Sequence, residues 1–171
     1  MKHLLQVLQH SILFSLLVAC GQPAQFNYLD GSSGRFDQLK GQWTVVNYWA
    51  EWCKPCIKEI PELNALDASR DDIVVLGINY DQPERALLLQ QARDLNIAFQ
   101  NIVAAESAVS FAEYFQYDKP VALPTTLIID PELNVIDILR GPQDKVSLLA
   151  RIEQAEMSPS GIETANSEPE N

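Results

Sequence analysis

Two cysteines three residues apart, Cys53 and Cys56, stand where a predicted strand passes into a predicted helix. Residues 43–49 read as a buried strand, because the run consists mostly of β-branched and aromatic residues. Residues 53–68 read as a helix, because apolar residues recur there every three or four positions. A strand, a Cys-x-x-Cys pair and a helix in this order constrain the chain to an α/β fold with both sulfurs at the junction.

The rest of the chain alternates in the same way. Residues 72–80 form a second strand pattern, and the near-continuous apolar character of both strands predicts a sheet covered on both faces. Helices are predicted at 83–95 and 108–115, a hairpin at 125–130 and 135–139, and a last helix at 145–155. The predicted order is therefore β-α-β-α-β-β-α.

The two ends of the chain differ in composition from its centre. Residues 1–19 carry Lys2 and then a mostly apolar run, which is typical of a signal peptide. The following motif, Leu-Val-Ala-Cys-Gly at 17–21, resembles a bacterial lipobox, and this resemblance implies cleavage before Cys20 and lipidation of its thiol. An ordinary secretory signal or a weak membrane anchor remains the alternative. We predict a lipidated tether at 20–25, one domain at 26–156, and a disordered acidic tail at 157–171, where no Lys or Arg occurs.

Charge and histidine content exclude several classes of function. The formal net charge is -11, whereas nucleic-acid binders need a basic surface, so no nucleic-acid partner is expected. Both histidines, His3 and His10, lie in the predicted signal peptide, so the mature chain has no imidazole for metal ligation or for a Cys-His couple. With Cys20 lipidated, two thiols remain in the mature protein.

The position of these thiols favours redox chemistry. Free N–H groups and the dipole of a helix N-terminus stabilise a thiolate on Cys53, and Lys54 adds a positive charge nearby. We therefore expect Cys53 to be the nucleophile, and Cys56, one turn on, to attack the mixed disulfide. A zinc site would need a second Cys or His pair, and covalent haem attachment would need His where Ile57 stands. No cofactor and no metal are expected, although a Cu(I) metallochaperone using the same two sulfurs stays open.

Residues 45–61 contain the pattern Trp-Cys-x-Pro-Cys-x-x-Glu-x-Pro, which resembles the TlpA/ResA-like branch of the thioredoxin superfamily. Similar stretches recur in the same order at 75–81 and 123–130, and the resemblance covers roughly 26–155. It implies a thioredoxin fold, with a central mixed sheet flanked by helices, and thiol–disulfide oxidoreductase activity. A thioredoxin-fold protein that binds without catalysis is a third reading, which the intact cysteine pair disfavours.

The resemblance also implies roles for residues around the cysteines. Pro124 is expected to be cis and to lie beside the disulfide, and the backbone of Leu123 is expected to bind an extended substrate as an added strand. Trp52, Lys54 and Pro55 are expected to contribute to substrate binding.

One family-like position carries an unexpected residue. Asn47 stands where cytosolic thioredoxins have a buried Asp, so that carboxylate is missing here. Glu59, three residues beyond Cys56, is the expected substitute and would handle the proton of the resolving thiol. The alternative is that Glu59 lies on an exposed helix face.

Partners and location follow from the same resemblances. Exported proteins with thiols or disulfides are the expected clients, and a membrane thiol electron donor is expected to recharge the protein. Cys20 would attach it to the lipid bilayer, facing the periplasm or the cell exterior, with the outer membrane as one possibility. Reduction of client disulfides, as in cytochrome c maturation or copper-centre assembly, is the direction that the family implies.

Overall fold

The computed structural model of the protein describes residues 25–116 and 122–157. The strands are β1 (Phe26–Asn27), β2 (Ser33–Gly34), β3 (Trp43–Trp49), β4 (Ile73–Asn79), β5 (Gln100–Ile102), β6 (Thr125–Ile129) and β7 (Val135–Arg140). The helices are α1 (Lys54–Asp67), α2 (Arg85–Asp94), α3 (Phe111–Tyr114) and α4 (Lys145–Met157), with short 3-10 helices at Phe36–Leu39 and Ala104–Glu106.

Strands β3 to β7 form one mixed sheet in the order β5-β4-β3-β6-β7. Strands β3, β4 and β5 are parallel, whereas β6 runs antiparallel to β3 and β7 antiparallel to β6. The predicted fold class, a mixed sheet flanked by helices, is confirmed. The central strand β3 is buried along its whole length, as its apolar sequence predicts for a sheet covered on both faces.

Successive side chains of β3 point into different cores, because a strand alternates its faces. Val45 packs with residues of α1 and α4, including Leu63 and Leu148. Its neighbour Val46 packs on the other side with aromatic residues of the N-terminal segment and α3, including Phe36. These two layers hold the carboxyl end of β3, and the loop that follows it, in one position.

The structure adds elements that the sequence patterns did not predict. Strands β1 and β2 are two residues long and β5 is three residues long, which is too short for a hydrophobic periodicity to be visible in the sequence. The helix predicted at 108–115 is the single turn Phe111–Tyr114, and the last helix extends to Met157. The predicted signal peptide, lipidated Cys20 and most of the tether fall in residues 1–24, outside the described residues, as does the tail from 158 onward.

Within the described ranges, no helix has both the length and the apolar composition needed to cross a bilayer.

Candidate active site

Helix α1 begins at the first cysteine of the pair. Cys53 is the N-cap residue, with extended backbone (φ -84°, ψ 92°), and its Sγ accepts a hydrogen bond from the Cys56 N–H at 3.3 Å. Pro55 lies in the first turn, where its missing N–H leaves no hydrogen bond unmade. The sequence thus directs a free helical N–H group at the sulfur that was expected to be the nucleophile.

Cys53 and Cys56 are joined as a disulfide, with their Cα atoms 5.3 Å apart. Cys53 is 4% exposed and Cys56 is fully buried, so the expected difference in access is present but small. The pair packs in an apolar cluster with Trp49 and with Leu88 of α2. Of the two cysteines, Cys53 is therefore the one with exposed surface.

The surroundings of Cys53 combine exposed and half-buried side chains. Trp52 is 64% exposed, and its indole Nε1 donates a hydrogen bond to Asp81 Oδ2 at 2.8 Å. Lys54 and Pro55 are exposed at the start of α1. The three side chains are exposed, and their contribution to substrate binding stays a prediction.

The segment before β6 also reaches the cysteine cluster. The Leu123–Pro124 peptide bond is cis, as the resemblance implies. Leu123 is half-buried and packs against the cluster that contains both cysteines, while Pro124 is buried. The fold brings this segment, about 70 residues along the chain, to the disulfide.

Glu59 is buried in α1, with 2% of its surface exposed, so it does not lie on an exposed helix face. Its Oε1 accepts a hydrogen bond from Asn47 Nδ2 at 2.6 Å, and its Oε2 accepts one from the backbone N–H of Gln143 at 2.9 Å. Burial raises the pKa of Glu59 to about 7, against the opposing effect of the two hydrogen bonds. A carboxyl group with this pKa exchanges a proton readily near neutral pH.

Asn47 links Glu59 to strand β6. Its Nδ2 also donates to Thr126 Oγ1 at 3.1 Å, and the residue is completely buried. Its Oδ1 has no hydrogen-bond partner in the described part of the chain. A protonated Glu59 carboxyl group is a hydrogen-bond donor. If the side-chain amide of Asn47 flips, Asn47 Oδ1 can accept that hydrogen bond.

The sequence did not indicate the hydrogen-bond partners of Glu59, Asn47 and Trp52. Gln143 acts through its backbone N–H, which leaves no signal in a sequence. Thr126 and Asp81 lie in the family-like stretches, yet neither pattern indicates which side chain they contact. The resemblance and the position three residues beyond Cys56 identified Glu59, but only the fold supplies what surrounds it.

Among residues 25–116 and 122–157, no three His, Cys, Asp or Glu side chains lie close enough together to hold a metal ion.

Comparison with known proteins finds relatives with the same fold. Thiol-disulfide oxidoreductase ResA of Bacillus thuringiensis subsp. konkukian is 29% identical over 121 residues, covering 70% of this chain and 67% of ResA. The structure of MTB dsbF in mixed oxidized and reduced forms aligns with a TM-score of 0.60 and 24% identity, over 78% of this chain and 98% of that one. A secreted Mycobacterium tuberculosis disulfide oxidoreductase, homologous to E. coli DsbE, aligns with a TM-score of 0.60 and 19% identity, over 75% and 93%.

These structural alignments identify the architecture as thioredoxin-like. The sequence model of the AhpC/TSA family matches residues 21–138, which include β1 to β6, the cysteine pair, Glu59 and Pro124. The chain belongs to the AhpC/TSA family.

Proposed function

We propose that this protein is a membrane-anchored, extracytoplasmic thiol–disulfide oxidoreductase that reduces disulfides of exported proteins through Cys53 and Cys56. The observation that carries the proposal is the helical N–H of Cys56 directed at Cys53 Sγ, at the N-terminus of α1. In the reduced protein the same N–H and the helix dipole favour the thiolate, the attacking species in disulfide exchange.

The reaction proceeds in two exchanges. The Cys53 thiolate attacks one sulfur of the client disulfide, so that a Cys53–client disulfide forms and the other client sulfur leaves as a thiolate. The Cys56 thiolate then attacks Cys53 Sγ, which closes the Cys53–Cys56 disulfide and releases the second client thiolate. Two electrons pass to the client, and a membrane dithiol donor returns the protein to its reduced form.

Glu59 is suited to take the proton of Cys56 before the second exchange. It lies one turn further along α1, is buried with Cys56, and has a pKa near 7. Cys56 itself has no exposed surface, so bulk water is a poor acceptor for its proton.

Client binding uses the two sides of Cys53. An extended client segment adds as a strand along the backbone of Leu123, next to the buried cis-Pro124, and its apolar side chains contact the exposed face of Trp52. Lys54 and Pro55 lie at the same end of α1. Maturation of cytochrome c or of copper centres is the client class we favour, because both need exported cysteines kept reduced.

The motif at Cys20 and the secreted relative described above support an extracytoplasmic compartment. Lipidation at Cys20 holds the domain on a membrane surface through a tether of a few residues. Cys20→Ser is expected to release the protein into the soluble extracytoplasmic fraction and to abolish labelling by a fatty-acid probe, whereas a membrane-bound, unlabelled variant would contradict the anchor.

Thiol-dependent reduction of insulin tests the activity. The reduced protein is expected to precipitate insulin chains in the presence of a dithiol, and Cys53→Ser is expected to remove this turnover. Cys20→Ser is the matched control, since it removes the third thiol of the chain and leaves the pair intact. Absence of turnover in the native protein, together with Cu(I) retention that requires both Cys53 and Cys56, would replace this proposal by copper binding.

A further inference from the structure

Helix α2 buries a polar side chain in the face that covers the cysteine cluster. Gln91 is 7% exposed and lies between the buried apolar residues Leu88 and Ala92, of which Leu88 packs with the two cysteines. A buried amide lowers stability unless its hydrogen bonds are made. Its bonds therefore indicate what this position does.

Both ends of the Gln91 amide are occupied. Its Nε2 donates to Glu51 Oε2 at 2.8 Å, and its Oε1 accepts from Asn79 Nδ2 at 3.0 Å. Glu51 is the residue immediately before Trp52. Asn79 ends β4 and is itself buried, with 2% of its surface exposed.

The hydrogen bonds continue from Asn79 back to the active-site loop. Asn79 Oδ1 accepts from the backbone N–H of Asp81 at 2.9 Å, and Asp81 Oδ2 accepts from Trp52 Nε1 at 2.8 Å. Because Trp52 follows Glu51 in the chain, the circuit closes. We call it the Gln91 ring, made of Glu51, Gln91, Asn79, Asp81 and Trp52.

We propose that Gln91 is a positioning residue, which holds the exposed indole of Trp52 beside Cys53 for contact with polypeptide clients. Within the ring, Gln91 bridges Glu51, in the loop before Cys53, and Asn79, at the end of β4. A side chain as exposed as that of Trp52 (64%) loses orientational freedom when it contacts a client, and the hydrogen bonds of the Gln91 ring restrict that freedom before the client binds. The proposal rests on the proposed function.

The ring acts on client contact and leaves the sulfur chemistry unchanged. Its hydrogen bonds end on Glu51 and on the Trp52 indole, whereas the Cys53 sulfur receives its own bond from the Cys56 N–H. Loss of Gln91 should therefore affect a protein substrate, which touches Trp52, more than a small disulfide, which does not.

The test compares the native full chain with its Gln91→Met variant. Steady-state reduction is measured with insulin and with a small aromatic disulfide. Methionine keeps the length of the side chain and removes both hydrogen bonds. We expect kcat/KM for insulin to fall about five- to tenfold through KM, and the rate with the small disulfide to stay within about twofold. Gln90→Met, at an exposed neighbour on α2, is the matched control and should leave both rates unchanged.

A double-mutant cycle separates positioning from a general loss of structure. If Gln91 acts through the indole, Gln91→Met causes no further loss of kcat/KM in a Trp52→Ala background. Asp81→Asn keeps an acceptor for Trp52 Nε1 and should retain activity, whereas Asp81→Ala should resemble Gln91→Met. Equal losses for insulin and the small disulfide, or additive losses in the cycle, would overturn the inference. Absence of thiol-dependent turnover in the native protein would instead reject the proposed function.

Discussion

Asn47 Nδ2 donates a 2.6 Å hydrogen bond to Glu59 Oε1, and both residues are buried. The donor comes from the central strand β3 and the acceptor from α1. The Asn47 side chain is a neutral amide, so Glu59 is the ionisable member of this pair. Its proton affinity follows from burial, which favours the neutral acid, and from two N–H donors, which favour the carboxylate.

The raised pKa of Glu59 makes the folded protein sensitive to pH. Between the unfolded value of 4.5 and the folded value of about 7, the folded state holds a proton that the unfolded state has released. The free energy of unfolding contributed by this group is therefore highest below about pH 4.5, falls as pH rises to 7, and is lower by about 3 kcal/mol above it.

Glu59→Gln, which mimics the protonated acid, should remove this dependence. We expect the variant to be more stable than the native protein at pH 8 and nearly equal to it at pH 4.5, as measured by urea unfolding at each pH. Its amide also offers a donor to the unpartnered Asn47 Oδ1. The control is Glu62→Gln, at an exposed position of the same helix. If the difference in free energy of unfolding between Glu59→Gln and the native protein did not change with pH, Glu59 would not be the group with the raised pKa.

Asn47→Leu should raise the pKa of Glu59 above its present value. The substitution removes a donor that stabilises the carboxylate, and a hydrogen bond to a charged group corresponds to about one pKa unit. The titration midpoint of the Glu59 carboxyl carbon, followed by NMR, is the measurement, and the pH at which client reduction accelerates should move with it. Thr126→Val leaves the Asn47–Glu59 bond in place and should shift the midpoint less. An unchanged midpoint in Asn47→Leu would show that the amide does not favour the charged form.

The reduced protein should be alkylated first at Cys53. Its sulfur lies at the helix N-terminus and on the accessible side, so iodoacetamide should modify it at pH values where free cysteine is still largely protonated. Mass spectrometry of the reduced protein identifies the modified cysteine. Cys56→Ser should retain this reactivity and accumulate client bound to Cys53, whereas first labelling of Cys56 would reverse the assigned roles.

Gly77→Ala should destabilise the fold close to the cysteine cluster. A Cβ at Gly77 would overlap Asn101 Oδ1 and lie 2.9 Å from the Phe99 ring. The same Oδ1 accepts the hydrogen bond of Trp49 Nε1, which packs against the cysteines. We expect a loss of about 2 kcal/mol in urea unfolding, with disturbed Trp49 emission, because a packed interior has no room for an added methyl group. An unchanged unfolding midpoint would mean that Asn101 moves aside at no cost.

The sequence by itself determined those features that depend on neighbours along the chain. Apolar composition identified β3 and β4, helical spacing identified α1, and the cysteine pair at their junction already indicated which sulfur the helix N-terminus faces. The resemblance of residues 45–61 and 123–130 indicated the fold class and the cis-Pro124 segment. These signals are local, because hydrophobic periodicity and helix capping involve residues within one or two helical turns of each other.

Only the tertiary structure decided what surrounds these residues. The pKa of Glu59 is about 7 because the residue is buried, and its hydrogen-bond donors come from β3 and from Gln143, which is 84 residues away in the chain. Gln91 reads in the sequence as one more polar residue of a helix, yet it closes a ring around the active-site loop. Desolvation and side-chain hydrogen bonds depend on which distant segments meet, and no local pattern encodes that meeting.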